Sequence, residues 1–543
     1  MLDLLSPAGL TLAVLALWLA TVLSRRTAPN APPTYGPCWL PHFARGLLAV
    51  VRLGKDEDAF LRSLREYGPV VWLPWPMKQY FVTDGDAIRQ VYEAPSKVLS
   101  FLPIRREMQG TVFGAPYWRD QALLDKQFFP THAKGMSKAN LSAGLERFVM
   151  YARRYLDDLG GKVDAAPSGE VVLDANDFLH EVYFEASLAA MFGPRVREAS
   201  GIAKEELFEA FLAFDASFPL EASGMFPGWL LDRIPGVTEG REARETLARA
   251  FQAWIEDGFD GLDEGVVRDM AQVALDNDLG SYEAGKMICA DFWALQANAP
   301  YVAVQLLIYL LQTPPTFRSA LRAEADNSLS LAAESTEAEP LTFFHLAQTL
   351  PLLGSCIVET LRLGTSTFSI RDVEQPLLVR SDGEKGKPAK EVIIPPNSRL
   401  INATRCSHLD EAQWARADEW DGRRFVDEKE DLEEGGDDGE RGRRSKRARE
   451  VYGFGGGISR CEGQHLATSE LKSFFALFFT MFDVDLVSPA NEPEVDAKFD
   501  RIKLTGVEDN AFMPKRLPNR VGMGTFQLRK ESRMQIRVRR RAV

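Results

Sequence analysis

Phe454-Gly-Gly-Gly-Ile-Ser-Arg-Cys461-Glu-Gly463 places one cysteine in a glycine-rich loop, just ahead of an apolar run. In that run Leu471, Phe474, Phe475, Phe478, Phe479 and Phe482 recur at helical spacing, which predicts a helix after the loop. Free N–H groups at a helix N-terminus supply positive potential, and a thiolate needs that potential. Glycines let the backbone turn tightly and approach a flat ligand closely. Loop, cysteine and helix therefore come in the order in which a protein would offer a thiolate to a metal centre. The competing reading is a buried cysteine beside a glycine turn.

The set Phe454, Gly455, Gly457, Cys461, Gly463 and Ala467 resembles, offset for offset, the haem-ligand loop of the cytochrome P-450 family. The resemblance implies a mainly α fold with small β-sheets, the cytochrome P-450 fold. It implies haem b (iron protoporphyrin IX), with Cys461 as axial ligand of the iron and the other five residues around the cofactor. One position departs from the pattern. The family usually has Arg or His two residues before the cysteine, reaching a haem propionate; here that residue is Ser459, with Arg460 next to it.

Composition sets wide bounds. The 543 residues exceed the usual single-domain size, yet one large enzyme domain can use them all. A formal net charge of −13 argues against nucleic-acid binding. The five cysteines have no paired spacing, which fits a reducing compartment and argues against a disulfide framework or structural zinc site.

Residues 4–23 contain no charged side chain, and Arg25 and Arg26 follow at once. Twenty such residues, at about 1.5 Å each, span a hydrocarbon core of roughly 30 Å. We expect residues 1–25 to be a single transmembrane anchor, with the remainder on the cytoplasmic side by the positive-inside rule. A cleaved signal peptide is the alternative; it would have basic residues first and a shorter apolar core. Prolines 29, 32, 33, 37 and 41 make 26–44 a stiff linker. Residues 45–543 form the expected catalytic domain. The anchor and linker resemble those of microsomal family members, which implies the endoplasmic reticulum membrane.

From residue 45 the patterning is mostly helical. Phe81-Val-Thr, Val392-Ile-Ile-Pro-Pro and Gln535-Ile-Arg-Val read as short strands. No βαβ alternation, phosphate-binding glycine loop or internal repeat occurs. Residues 323–340, rich in Ala, Ser and Glu, and the charged residues 427–449 read as solvated surface insertions. Residues 207–233 hold many large apolar side chains; the resemblance implies that they cover the substrate channel near the membrane.

Glu359 and Arg362 lie three apart in an apolar helical run, so carboxylate and guanidinium share a face. A buried pair needs every charge satisfied, and Arg424 is the expected third member. The family's Glu, Arg, Arg cluster fits these three. His408, Asp410 and Trp414 match the family's run before that arginine and read as structural.

A helix over 286–312 is expected to cross the distal face of the haem. Where most oxygen-activating members carry an acid followed by Thr, this chain has Ala297 and Asn298, and Pro300 should open the helix there. Ala-Gln-Ala-Asn followed by Pro resembles the branch containing cholesterol 7α-hydroxylase, sterol 12α-hydroxylase and prostacyclin synthase. Leu361–Arg371 and Phe211–Pro219 resemble the same branch. The resemblance implies that Asn298 acts at the iron and that Arg371 replaces the missing propionate partner. The alternative for Asn298 is a core amide bonded to its own helix. Trp118, Arg119 and Lys126 are lesser candidates near the propionates.

The implied activity is that of a haem-thiolate monooxygenase, in which the thiolate pushes electron density toward O–O cleavage. It would insert one atom of O2 into a lipophilic substrate (a sterol, terpenoid or other secondary-metabolite intermediate). Electrons would come from NADPH through cytochrome P-450 reductase, with cytochrome b5 as a further donor. Two other readings stay open: an oxygen-independent isomerase acting on a peroxide, as in prostacyclin synthase, and a haem-binding membrane protein without catalysis.

Overall fold

Apolar positions three and four apart fold into long helices. Among them are Lys138–Ala165, Ala175–Phe192, Lys204–Ala222, Pro235–Glu256, Ser281–Gln296, Ala299–Gln312, Pro315–Glu334, Pro351–Gly364 and Gln464–Met481. The computed structural model describes residues 30–115, 120–224, 226, 228–334, 341–381, 390–426, 448–487, 497–518 and 520–542. The expected anchor, nearly all of the 427–449 insertion, and Trp118 with Arg119 lie outside the described residues.

The sheets are small, as expected. The largest runs Val70–Leu73, Gln79–Val82, Ser398–Ala403, Thr365–Val373, Met523–Thr525, with Leu99–Ser100 beside Thr365–Val373. Gln535–Arg540 pairs antiparallel with both Phe482–Leu486 and Glu170–Asp174, and Lys390–Ile394 pairs with Leu377–Ser381. All three stretches read as strands contribute to these sheets.

Two apolar cores result. One fills the space between the helices; the other lies under the large sheet, around Phe60, Phe81, Ile88 and Leu400. Phe474, Phe475 and Phe478 on the helix after the cysteine are fully buried. Each contributes roughly 1.5–3 kcal/mol by leaving water.

Two expectations about helices need correction. Residues 323–334 are not a surface insertion: they continue the helix Pro315–Glu334. Leu321, Ala325 and Ser328 are buried on one face, and Glu324 accepts the backbone N–H groups of Leu352 (2.6 Å) and Leu353 (2.9 Å), capping the helix Pro351–Gly364. Residues 335–340 lie outside the described residues. The helix expected over 286–312 begins earlier, at Ser281, and opens just before Pro300 as expected, giving Ser281–Gln296 and Ala299–Gln312. Asn298 leaves helical geometry (φ −131°, ψ −56°) and Pro300 sits in the first turn of the second helix. A proline there loses no helical hydrogen bond, so the break falls just before it. By length and composition Ser281–Gln312 could cross a membrane, but 83% of its apolar window is buried inside the protein.

Candidate active site

The cysteine loop is built on Tyr452. Its backbone N–H donates to His408 Nε2 (2.9 Å), and its ring stacks on Tyr92 at 4.6 Å. Gly455 and Gly457 take φ of +70° and +62°. A Cβ on Gly457 would stand 2.0 Å from the Tyr92 carbonyl oxygen, so conformation and space both require glycine there. The Cys461 N–H donates to the Phe454 carbonyl (2.8 Å), closing the loop, and Gly463 precedes the helix Gln464–Met481.

Burial pushes the Cys461 thiol up, while the backbone N–H groups of Gly463 and Gln464 pull it down. The residue nevertheless keeps accessible surface. Phe454 and Ala467 are half-buried beside it, packed against the helical core. Arg460 turns away and donates to the Arg449 carbonyl (3.2 Å).

Glu359, Arg362 and Arg424 come together. Arg362 holds the Glu359 carboxylate through Nε and Nη2, both at 2.8 Å, and Arg424 Nε adds a third bond at 2.9 Å. The Asp421 N–H supplies a fourth at 3.0 Å. Arg362 Nη1 donates to the carbonyls of His408 (2.7 Å) and Ala417 (2.6 Å), and Nη2 also reaches Glu419 (3.1 Å). Glu359 and Arg362 are fully buried, so this complete satisfaction is what makes the burial tolerable. Through His408 the cluster is one residue removed from the cysteine loop.

Arg371, in strand Thr365–Val373, is buried and donates to the Ile370 carbonyl (2.7 Å). Its guanidinium faces the rings of Phe101 (5.1 Å) and Tyr92 (6.0 Å). Burial lowers its pKa, and it has no carboxylate partner among the described residues. Lys126 is exposed.

The Asn298 carboxamide does not bond its own helix, although the backbone carbonyl accepts the Val302 N–H (3.1 Å). Its Oδ1 accepts the Thr525 N–H (3.2 Å) from strand Met523–Thr525. The carboxamide thereby ties the helix break to the C-terminal hairpin, which the antiparallel bridge between Arg516 and Leu528 closes, and Nδ2 has no acceptor among the described residues.

One ionic cluster escaped the sequence reading. His132 Nε2 meets Asp291 Oδ1 at 2.9 Å, and its Nδ1 meets the Glu462 carboxylate. Arg105 pairs with Glu462 at 3.2 Å and lies over the Phe129 ring. Burial opposes the charged imidazole, but the carboxylates of Asp291 and Glu462 outweigh it and raise His132 to about 9. The cluster joins helix Phe129–Gly135, the residue after Cys461 and helix Ser281–Gln296. No spacing connects these residues; the adjacency of Glu462 to Cys461 was the only available signal.

Comparisons with known proteins point to one family. A family model described as Cytochrome P450 matches residues 37–506. The chain is similar to 7-alpha-hydroxycholest-4-en-3-one 12-alpha-hydroxylase of Oryctolagus cuniculus, at 24% identity over 98% of each chain. It is similar to prostacyclin synthase of Bos taurus at 27% identity, over 64% of this chain and 68% of that protein. With cytochrome P450 7A1 of Sus scrofa it shares 26% identity over 57% of this chain, which spans 59% of that protein's length. These relatives lie in the branch that the Asn298 and Arg371 stretches resemble. The chain belongs to the cytochrome P450 family of oxidoreductases, whose cofactor is haem and whose electrons come from NADPH through a reductase.

Proposed function

We propose that this chain is a membrane-anchored haem-thiolate monooxygenase that inserts one atom of O2 into a lipophilic substrate. The observation that carries the reading is the loop Phe454–Gly463, which leaves Cys461 accessible just ahead of a helix N-terminus. The residues present fit a haem. Arg371 is a buried guanidinium without a carboxylate of its own, suited to a propionate. Gly455 and Gly457 keep side chains out of the loop.

Bound haem supplies oxygen activation and substrate oxidation. The chain's residues do the rest. Cys461 would hold the haem iron through its thiolate, and Arg371 would hold a propionate. Glu359, Arg362 and Arg424 lock the core behind the loop. Asn298, whose Nδ2 stays free while Oδ1 is engaged, donates a hydrogen bond to the substrate or to a water that delivers protons.

Residues 1–25 anchor the protein in the endoplasmic reticulum membrane, 26–44 link, and 45–543 form the cytoplasmic catalytic domain. An exposed stripe supports docking on the bilayer. Trp39, Phe43, Leu47 and Val51 recur every four residues along helix His42–Lys55 and its approach, with Trp75 and Trp229 also exposed. NADPH–cytochrome P-450 reductase, and cytochrome b5, are the proposed electron donors.

The similarity to prostacyclin synthase favours a second reading, rearrangement of a peroxide without O2 or NADPH. Mass spectrometry of lipophilic extracts from cells with and without the protein, grown under oxygen-18 gas, separates the two. A new product carrying heavy oxygen supports the monooxygenase. A product of unchanged mass and no label refutes it in favour of the isomerase.

A further inference from the structure

The hairpin that reaches Asn298 also carries a buried guanidinium that the mechanism above does not use. Asp215, mid-way along helix Lys204–Ala222, is 3% exposed at its side chain and Arg520 is 7% exposed. The Asp215 carboxylate is fully engaged. It accepts from Arg520 Nη1 (2.5 Å), Gln527 Nε2 (2.7 Å) and Trp293 Nε1 (2.9 Å), and Arg520 Nη1 also reaches the Asp215 carbonyl (3.2 Å). Arg520 is not. Its Nε and Nη2 are buried with no partner among the described residues. Those two groups form one edge of the guanidinium plane, a fork of parallel donors. Buried donors left unpaired are costly, so the fork calls for an acceptor.

The surroundings say what kind. Trp293 stacks on Phe218, and Phe113 packs on Phe214, Phe218 and Trp293, so the ion pair sits against an aromatic cluster. The same hairpin reaches Asn298 through the Thr525 N–H. Asp215 already neutralises Arg520. A substrate carboxylate would therefore add an uncompensated buried charge, whereas one carbonyl oxygen, with two lone pairs, can accept from both donors at no charge cost.

We propose that the Nε/Nη2 fork of Arg520 is a specificity determinant that binds a neutral carbonyl oxygen of an otherwise apolar substrate. The inference rests on the reading that the Asn298 side of the site takes a lipophilic substrate, and it narrows that class to ketone- or ester-bearing molecules.

Equilibrium dialysis of the full-length, detergent-solubilised protein tests it. The probes are radiolabelled cholest-4-en-3-one, its deoxo parent cholest-4-ene, and 5β-cholanic acid. The expected result is that the wild type binds the ketone about tenfold tighter than the hydrocarbon, about 1.4 kcal/mol. Arg520→Lys, which keeps the charge opposite Asp215 but loses the fork, should bring the two within about twofold at equal haem content. An unchanged ketone preference in Arg520→Lys, or none in the wild type, overturns the proposal. Tighter binding of the acid than of the ketone by the wild type overturns it too. If Arg520→Lys does not fold, Asp215→Asn decides: uncompensated, the fork should now prefer the acid to the ketone, and an unchanged order overturns the idea. Dialysis needs neither O2 nor NADPH. A protein that passes these tests but lacks the reduced-CO band of a thiolate-ligated haem therefore refutes the proposed function and leaves the fork standing.

Discussion

Acidification should weaken the support of the cysteine loop through His408. This imidazole is fully buried; its Nε2 accepts the Tyr452 N–H at 2.9 Å, and its Nδ1 has no partner among the described residues. Burial first, then the guanidinium groups of Arg362 and Arg405, lower its pKa from 6.5 to about 3. The folded-state value is depressed, so stability is fully present above the unfolded value near 6.5 and declines as pH falls toward 3. Below 6.5 the unfolded chain takes up a proton that the folded chain refuses. Each pH unit then costs about 1.4 kcal/mol, or about 2 kcal/mol by pH 5. His408→Gln keeps an acceptor for Tyr452 but does not titrate. Urea unfolding of both proteins at pH 7, 6 and 5 isolates the effect, because other titrating groups cancel in the difference. The stability of the wild type relative to His408→Gln should fall by about 2 kcal/mol between pH 7 and pH 5. Parallel curves for the two proteins would refute the argument.

Three further outcomes follow from the site. Gly457→Ala drives a Cβ to 2.0 Å from the Tyr92 carbonyl and imposes a side chain at φ +62°, so the loop must shift. The reduced-CO band of a thiolate-bound haem should be lost while the helical circular dichroism persists, and a retained band counts against the loop geometry. Arg362→Ala leaves Glu359 buried with half its partners; unfolding should come about 3–5 kcal/mol earlier, measured by urea titration, and a loss under 1 kcal/mol would show that the cluster is wetter than its burial implies. Asn298→Ala removes the bond to the Thr525 N–H and the free carboxamide N–H group. Haem content should hold while coupling of NADPH use to product falls several-fold, and unchanged coupling would return Asn298 to a purely structural role.

What the sequence revealed was governed by local rules. Glu359 and Arg362 were readable because three residues along a helix is one face, and the break at Asn298 because a proline two residues on disfavours a continuous helix. Gly455 and Gly457 stand where the backbone needs positive φ. What stayed hidden was settled by distance. Asp215 meets Arg520 across 305 residues, and the carbonyls that complete Arg362 come from residues 46 to 57 positions away. Neither partner advertises the other, because a buried charge demands some complement without specifying which segment supplies it. The helix through Glu334 was missed for a related reason. Alanine, serine and glutamate suit a solvated loop as well as an exposed helix face, and only the buried positions Leu321, Ala325 and Ser328, with Glu324 turned to cap a neighbour, decide between them. The same logic explains why the thiolate loop could be read and the substrate could not. Presenting a sulfur needs contiguous residues, whereas the buried cluster of Asp215, Trp293, Arg520 and Gln527 exists only once three distant segments have met. If the Arg520 fork binds substrate as proposed, substitutions in this cluster should alter which molecule binds while the cysteine loop stays intact.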